Sequence, residues 1–219
     1  MSNYTIFLDI ETIPGPVPPD LSDIPVPGSM KKEETIAKWR TETAPDLLTQ
    51  AWAKESLESL KGRVCAVGFA SGDDPVECVI NGREDGESGL LAVFESKLKS
   101  IVGRDSFPVV NWVGFNIKEF DLKWIRHRAY KYGLKLLKAL CPWEKYSKQV
   151  IDLREILDSG YQAKGTFDQY CKWLGLSGKP EGMDGSKIWS LWNKKDFEAI
   201  RQYCMNDVEN VRALYHKIF

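Results

Sequence analysis

Four acidic residues stand where the hydrophobic pattern calls for apolar side chains. Asp9 closes the run Ile6-Phe7-Leu8, and Glu11 follows two residues later. Residues two apart in an extended strand point to the same side, so these two carboxylates share a face. Asp121 falls on the same helix face as Ile125, Ala129 and Tyr132. Asp207 lies seven residues from both Ile200 and Leu214, on the apolar stripe Ile200, Cys204, Val208, Val211, Leu214 and Ile218, and Tyr203 stands four residues before it on the same face. Burying a bare carboxylate is costly unless it is paired or holds a metal. Several carboxylates converging on one site bind a hard divalent cation such as Mg²⁺. Two such ions about 4 Å apart stabilise both the attacking and the leaving oxygens of a phosphoryl displacement. Taken singly, each acid also reads as a helix cap or a salt-bridge partner, and Asp121 falls near a helix start, where Asp is ordinary. D-x-E occurs three more times in the chain, but only Asp9 and Glu11 end a core strand.

The elements that must position these acids can be read from the pattern. Tyr4 to Asp9 is a short β-prone run, and strand signals return at Val64–Ala70, Val76–Ile80 and Pro108–Val113. A helix over Ser88–Val102 places Leu90, Leu91, Phe94, Leu98 and Ile101 on one face. Further helices are expected over about 119–133, 151–158, 166–174 and 194–218, and Thr166 with Gln169 has capping-box spacing. Seven of the eleven prolines precede residue 46, so 13–30 reads as an extended loop and 31–61 as one or two helices. The 219 residues therefore suggest one α/β domain, a mixed sheet flanked by helices, with an insertion at about 13–61.

Composition narrows the function classes. With 43 % hydrophobic and 28 % charged residues the chain has globular composition, and a net charge of −1 excludes a histone-like polycation. Five scattered cysteines without a C-x-x-C pair argue against a disulfide scaffold or a zinc site and fit a reducing compartment. No stretch has the ~20 apolar residues of a membrane helix, and the N-terminus lacks a basic, apolar leader. A cytoplasmic protein with no membrane contact is expected.

In order and separation, FLDIET (7–12), NIKEFD (116–121) and YCMND (203–207) resemble the three exonuclease motifs of the DEDD superfamily of 3′→5′ exonucleases. The likeness is greatest to the exonuclease domain of family B DNA polymerases and the stand-alone bacterial and phage proteins related to it. The resemblance implies a ribonuclease-H-like fold, with three antiparallel strands and then parallel additions, and two divalent ions, Mg²⁺ or Mn²⁺. It makes Asp9, Glu11, Asp121 and Asp207 the metal ligands and Tyr203 the residue that orients the attacking water. A phenol of pKa near 10 is a poor base at neutral pH, which suits that orienting role. The histidine branch would need a His where this chain has Gln202. By the same resemblance Thr12 and Asn116 contact the terminal nucleotide, and Phe120 packs by its base or sugar; from the residues alone Phe120 reads equally well as core.

The implied partner is nucleic acid, most simply the 3′ end of single-stranded DNA, with a replication or repair protein as a further possible partner. Between 118 and 148 nine cationic residues face three acidic ones, an asymmetry that suits phosphate binding but also fits a solvated helix face. Trp39 and Trp52 in the insertion are candidate base-stacking platforms. The alternatives are a non-catalytic nucleic-acid or protein binding module, an RNA exonuclease of the same superfamily, and a small-molecule phosphodiesterase. A binding module has no need of four misplaced acids and a tyrosine.

Overall fold

The computed structural model describes residues 3–83, 86–103, 108–144, 147–158, 165–180 and 182–219. It divides into two compact units, one of residues 1–11 and 64–219, the other Thr12–Arg63. Among the described residues the larger unit is built on a five-stranded sheet. Its strands are β1 (Asn3–Ile13, whose last two residues belong to the second unit), β2 (Arg63–Ser71), β3 (Glu77–Ile80), β4 (Val109–Gly114) and β5 (Val150–Asp152), in the order β3-β2-β1-β4-β5. β2 and β3 run antiparallel, with Gly68 opposite Cys78. The Gly72 N–H just past β2 donates to Thr5 near the start of β1, while Cys65 near the start of β2 donates to Glu11 near its end, so β1 and β2 are antiparallel too. β4 joins β1 in parallel, Phe7 opposite Val113, and β5 joins β4 in parallel, Gly114 opposite Asp152. This mixed sheet, with helices on both faces, is the ribonuclease-H-like architecture expected.

The period-2 alternation of β1 decides where each side chain goes. Ile6, Leu8 and Ile10 enter a core that includes Leu90, Leu91, Phe94 and Leu98 of α3 (Glu87–Val102) and Leu122, Trp124, Ile125 and Ala129 of α4 (Asp121–Tyr132). Phe7 enters the opposite core, with Val208, Val211 and Leu214 of α9 (Phe197–Ile218). Asp9 and Glu11 continue the Phe7 side, toward α9. Helix and sheet touch there through Gly68: a β-carbon on it would lie 2.9 Å from both Cys204 Sγ and Val208 Cγ2 and 3.1 Å from the Cys204 carbonyl.

Across the sheet, Glu87 at the start of α3 is buried and satisfied. It accepts from the Val64 N–H at 2.7 Å, from Arg128 Nε of α4 at 2.6 Å and from the Tyr132 hydroxyl at 2.5 Å. A buried charge with that many donors locks strand and helices into one register.

The observed elements lengthen and refine the expected ones. Helices α5 (Lys135–Leu140) and α8 (Ile188–Asn193) were not anticipated. The expected 151–158 helix gives its first residues to β5, leaving α6 (Leu153–Asp158). α7 (Phe167–Trp173) carries the Thr166–Gln169 capping box, both bonds formed. No helix among the described residues is long and apolar enough to cross a membrane.

In the second unit, α1 (Glu33–Glu42) and α2 (Ala44–Lys54) pack around Ile24, Trp39 and Ala44. Trp39 is 6 % exposed, so it is that small unit's core and not a stacking platform. Trp52 donates its indole N–H to the Gly15 carbonyl at 3.0 Å.

Replacing Gly68 with Ala drives a β-carbon against the Cys204 and Val208 side chains at 2.9 Å, with the Cys204 carbonyl behind them at 3.1 Å. The expected cost is about 1–3 kcal/mol, read as a melting temperature several degrees lower. An unchanged melting temperature would show that α9 can lift from the sheet.

Candidate active site

β1 and β4 are parallel neighbours in register Phe7–Val113, so the chain leaving β4 at Gly114 emerges one residue past that pair, beside the part of β1 that leads into Asp9. The loop 115–120 then delivers Asp121 as the first residue of α4. Asp121 is buried, and its Oδ1 accepts the Ile10 N–H at 2.9 Å. That N–H lies between Asp9 and Glu11, so one carboxylate pins the backbone that presents the other two. α9 supplies Asp207 and Tyr203, 3 % and 2 % exposed. Its Cys204 Sγ lies 3.7 Å from the Asp9 carbonyl oxygen and 3.8 Å from Asp9 Oδ2. Donor atoms of Asp9, Glu11 and Cys204 all lie within 4.8 Å of one another. Cys204 is buried against Gly68, as a packing residue.

The electrostatics follow from crowding like charges out of water. Burial, then Glu11, Asp207 and Asp121, holds the Asp9 carboxyl well above the usual carboxylate range. Burial and then Asp207 do the same to Glu11. Asp121 is pushed up to about 8, again by burial, against the opposing hydrogen bond from Ile10. Asp207 is also raised by burial, but Lys179 opposes this, with its Nζ 2.9 Å from Asp207 Oδ2. The same ammonium donates to the Tyr203 hydroxyl and sits 4.8 Å from the centre of its ring. Burial would lower the Lys179 pKa, but Asp207, Asp9 and Glu11 outweigh it and raise it. Tyr203 is raised by burial and then by Asp207, Glu11 and Asp9, so it remains a neutral phenol.

The donor set suits a hard cation. Asp207 Oδ1 is buried without a hydrogen-bond partner, and a buried acceptor left open is costly unless something positive meets it. Asp9, Glu11, Asp121 and Asp207 supply the oxygens such ions take.

The substrate candidates are held by different parts of the chain. Asn116 adopts a left-handed backbone, φ 61°, in the loop leading to Asp121. Phe120 is half-buried, packs against the main core and has its ring centre 5.9 Å from that of Trp124. Thr12 belongs to the second unit, where its hydroxyl donates to the Ser56 carbonyl at 2.5 Å. In the cationic segment Lys123, Lys131, Lys135, Lys138 and Lys148 are exposed, while Arg128 is buried on Glu87; Lys145 lies outside the described residues.

Two residues escaped sequence reasoning. Lys179 sits in an irregular loop whose placement depends on α9: Asn206 and Asn210 both donate to the Gly178 carbonyl, at 3.3 and 2.9 Å. No periodicity marks it. Asp152 is different, because Val150-Ile151-Asp152 repeats the signature that singled out Asp9, an apolar run closed by an acid.

Comparison with known proteins fits this geometry. Residues 63–219 match the family described as predicted 3′–5′ exonucleases related to the exonuclease domain of PolB. A relative, an uncharacterized protein of Methanocaldococcus jannaschii, is 30 % identical over 169 residues, covering 73 % of this chain and 87 % of that protein. The family B DNA polymerase of Pyrobaculum calidifontis has the same fold, with a TM-score of 0.61 at 19 % identity over 98 % of this chain. The chain spans 24 % of that polymerase. The chain belongs to the family of predicted 3′–5′ exonucleases related to the PolB exonuclease domain.

Raised carboxyl pKa values mean that the metal-free fold binds protons its unfolded chain releases. Stability therefore falls as pH rises from the ordinary carboxylate range toward 8. In EDTA the melting temperature should drop between about pH 5 and about pH 8, and millimolar Mn²⁺ should restore it. Glu11→Gln should raise the EDTA value at pH 8 by a few degrees, about 1–2 kcal/mol. A lower value would mean that Glu11 is not repelled.

Proposed function

We propose that this protein is a metal-dependent 3′→5′ exonuclease that removes nucleoside 5′-monophosphates from single-stranded or frayed DNA ends. The observation that carries this reading is the convergence of buried Glu11, Asp121 and Asp207 with half-buried Asp9, an Asp207 oxygen being left without a hydrogen-bond partner. Membership of a family related to a DNA polymerase's exonuclease domain favours DNA over RNA. Asp9, Glu11, Asp121 and Asp207 would hold two Mg²⁺ or Mn²⁺ ions. Bound there, divalent cations supply Lewis-acid activation of water and neutralise charge on the phosphate.

This chain's own residues do the rest. Tyr203, kept neutral, directs its hydroxyl at the water and holds it for in-line attack on the terminal phosphodiester. Lys179 fixes that hydroxyl, offsets the charge of Asp207 and keeps the phenol from rotating. Phe120 and Asn116 flank the approach to Asp121, where a terminal base and sugar would be received. The attacking oxygen bonds to phosphorus, the P–O3′ bond breaks, and the shortened strand leaves with a new 3′-hydroxyl.

Asp9→Ala or Asp207→Ala should lower turnover at least ~100-fold, since outer-shell partners of metal sites alone are worth roughly 10–100-fold. Lys179→Met should lower kcat about 10–100-fold on the same grounds. The measurement is a gel ladder from 5′-labelled DNA and RNA oligonucleotides in Mg²⁺, Mn²⁺ or EDTA, with circular dichroism to show that the variants fold. Normal laddering by Asp9→Ala would refute the assignment of the site. Folded wild-type protein that cleaves nothing would make it a binding module.

A further inference from the structure

Beyond the acid cluster, one buried carboxylate has an environment that the chemistry above does not use. Asp152, 3 % exposed, ends β5 opposite Gly114, the last residue of β4. Its Oδ1 accepts the Asn116 N–H at 2.9 Å and the Arg154 N–H at 3.1 Å, and its Oδ2 accepts the Lys118 N–H at 3.2 Å. All three donors are backbone amides, and two belong to the loop that carries Asn116 and leads to Asp121. A left-handed backbone at a residue other than glycine costs free energy and persists only where its surroundings hold it. Here the Asp152 carboxylate holds it, and the Phe120 N–H donating to the Asn116 carbonyl at 3.1 Å closes the loop.

The Asn116 side chain is fixed from the same quarter. Arg154 Nη1 donates to Asn116 Oδ1 at 3.3 Å. A guanidinium can only donate, so the amide must turn its oxygen toward Arg154 and its NH₂ away. Asn116 then presents donors alone.

We infer that Asp152 is a positioning residue of the exonuclease site, which with Arg154 sets Asn116 to donate hydrogen bonds to an acceptor oxygen of the terminal nucleotide. This rests on the proposed exonuclease function for the identity of the ligand, though not for the geometry. Sugar and phosphate oxygens are acceptors present on every nucleotide, so a contact to one of them would select a strand end regardless of base.

The test compares Asp152→Asn, Asp152→Ala, Arg154→Met and Asn116→Ala, with the double variant Asp152→Ala/Asn116→Ala. Steady-state cleavage of a single-stranded DNA oligonucleotide in Mg²⁺ gives kcat and KM. Fluorescence anisotropy of the same oligonucleotide in EDTA gives affinity without cleavage. Asp152→Asn keeps an acceptor for Asn116 but turns an NH₂ toward the Lys118 N–H, so it is the milder change. KM and the dissociation constant are expected to rise ~10-fold in Asp152→Ala, Arg154→Met and Asn116→Ala, and less in Asp152→Asn, with kcat within ~3-fold of wild type. The double variant should bind no worse than Asn116→Ala, because both changes remove one contact.

Effects that multiply in the double variant, or unchanged affinity in Arg154→Met and Asp152→Asn, would overturn the inference. A purely structural role would lower the melting temperature and active fraction and leave KM alone. If Asp152→Ala does not fold, Asp152→Asn and Arg154→Met decide the matter by themselves. Wild-type protein that binds the oligonucleotide without cleaving it would refute the exonuclease while the anisotropy series still judges Asp152. Wild-type protein that neither binds nor cleaves would refute both.

Discussion

Everything in the site depends on holding the buried carboxylates of Glu11, Asp121 and Asp207 close to one another and to the half-buried Asp9. Like charges at such range repel, and burial removes the solvent that would screen them. The fold meets this repulsion at specific atoms. The Ile10 N–H satisfies Asp121, and the Lys179 ammonium meets one oxygen of Asp207. What is left over is a deficit of positive charge that protons fill at low pH. A protein that only needed stability would have placed leucine at these positions.

The sheet explains how such a cluster is affordable. Two hydrophobic cores lie on its two faces, and strict alternation along β1 sends Ile6, Leu8 and Ile10 to one while Phe7, Asp9 and Glu11 face the other. The apolar half of the strand anchors it so firmly that the polar half can stay unfavourable. A one-residue slip would exchange the two sets, burying the acids in the α3–α4 core. Gly68, by letting α9 approach β2 closely, fixes how near Asp207 and Tyr203 come to Asp9.

Much of this was legible in the chain. Asp9, Asp121 and Asp207 betrayed themselves by interrupting apolar periodicity, because a local pattern records burial. The three exonuclease motifs also carried the fold, and four of the five strands could be read from their β-prone runs. β5 was missed because three residues, Val150 to Asp152, are too few to show a period. Lys179 was missed for a deeper reason: its importance comes from α9 holding Gly178, a contact between distant segments that no local pattern encodes. Trp39 was misjudged because an indole in a proline-rich insertion looks available, yet that segment has a small core of its own to fill.

The pinning of Ile10 by Asp121 bridges 111 residues, and the contact of Cys204 with Asp9 bridges 195. Contacts so far apart in sequence carry a loop-closure cost that local contacts do not. The acids are therefore assembled only where distant segments of the chain have met. Opening of α9 alone undoes that assembly, since it withdraws Tyr203 and Asp207 together and releases the loop bearing Lys179. The geometry of the acid cluster is thus a property of the whole larger unit and not of any one segment.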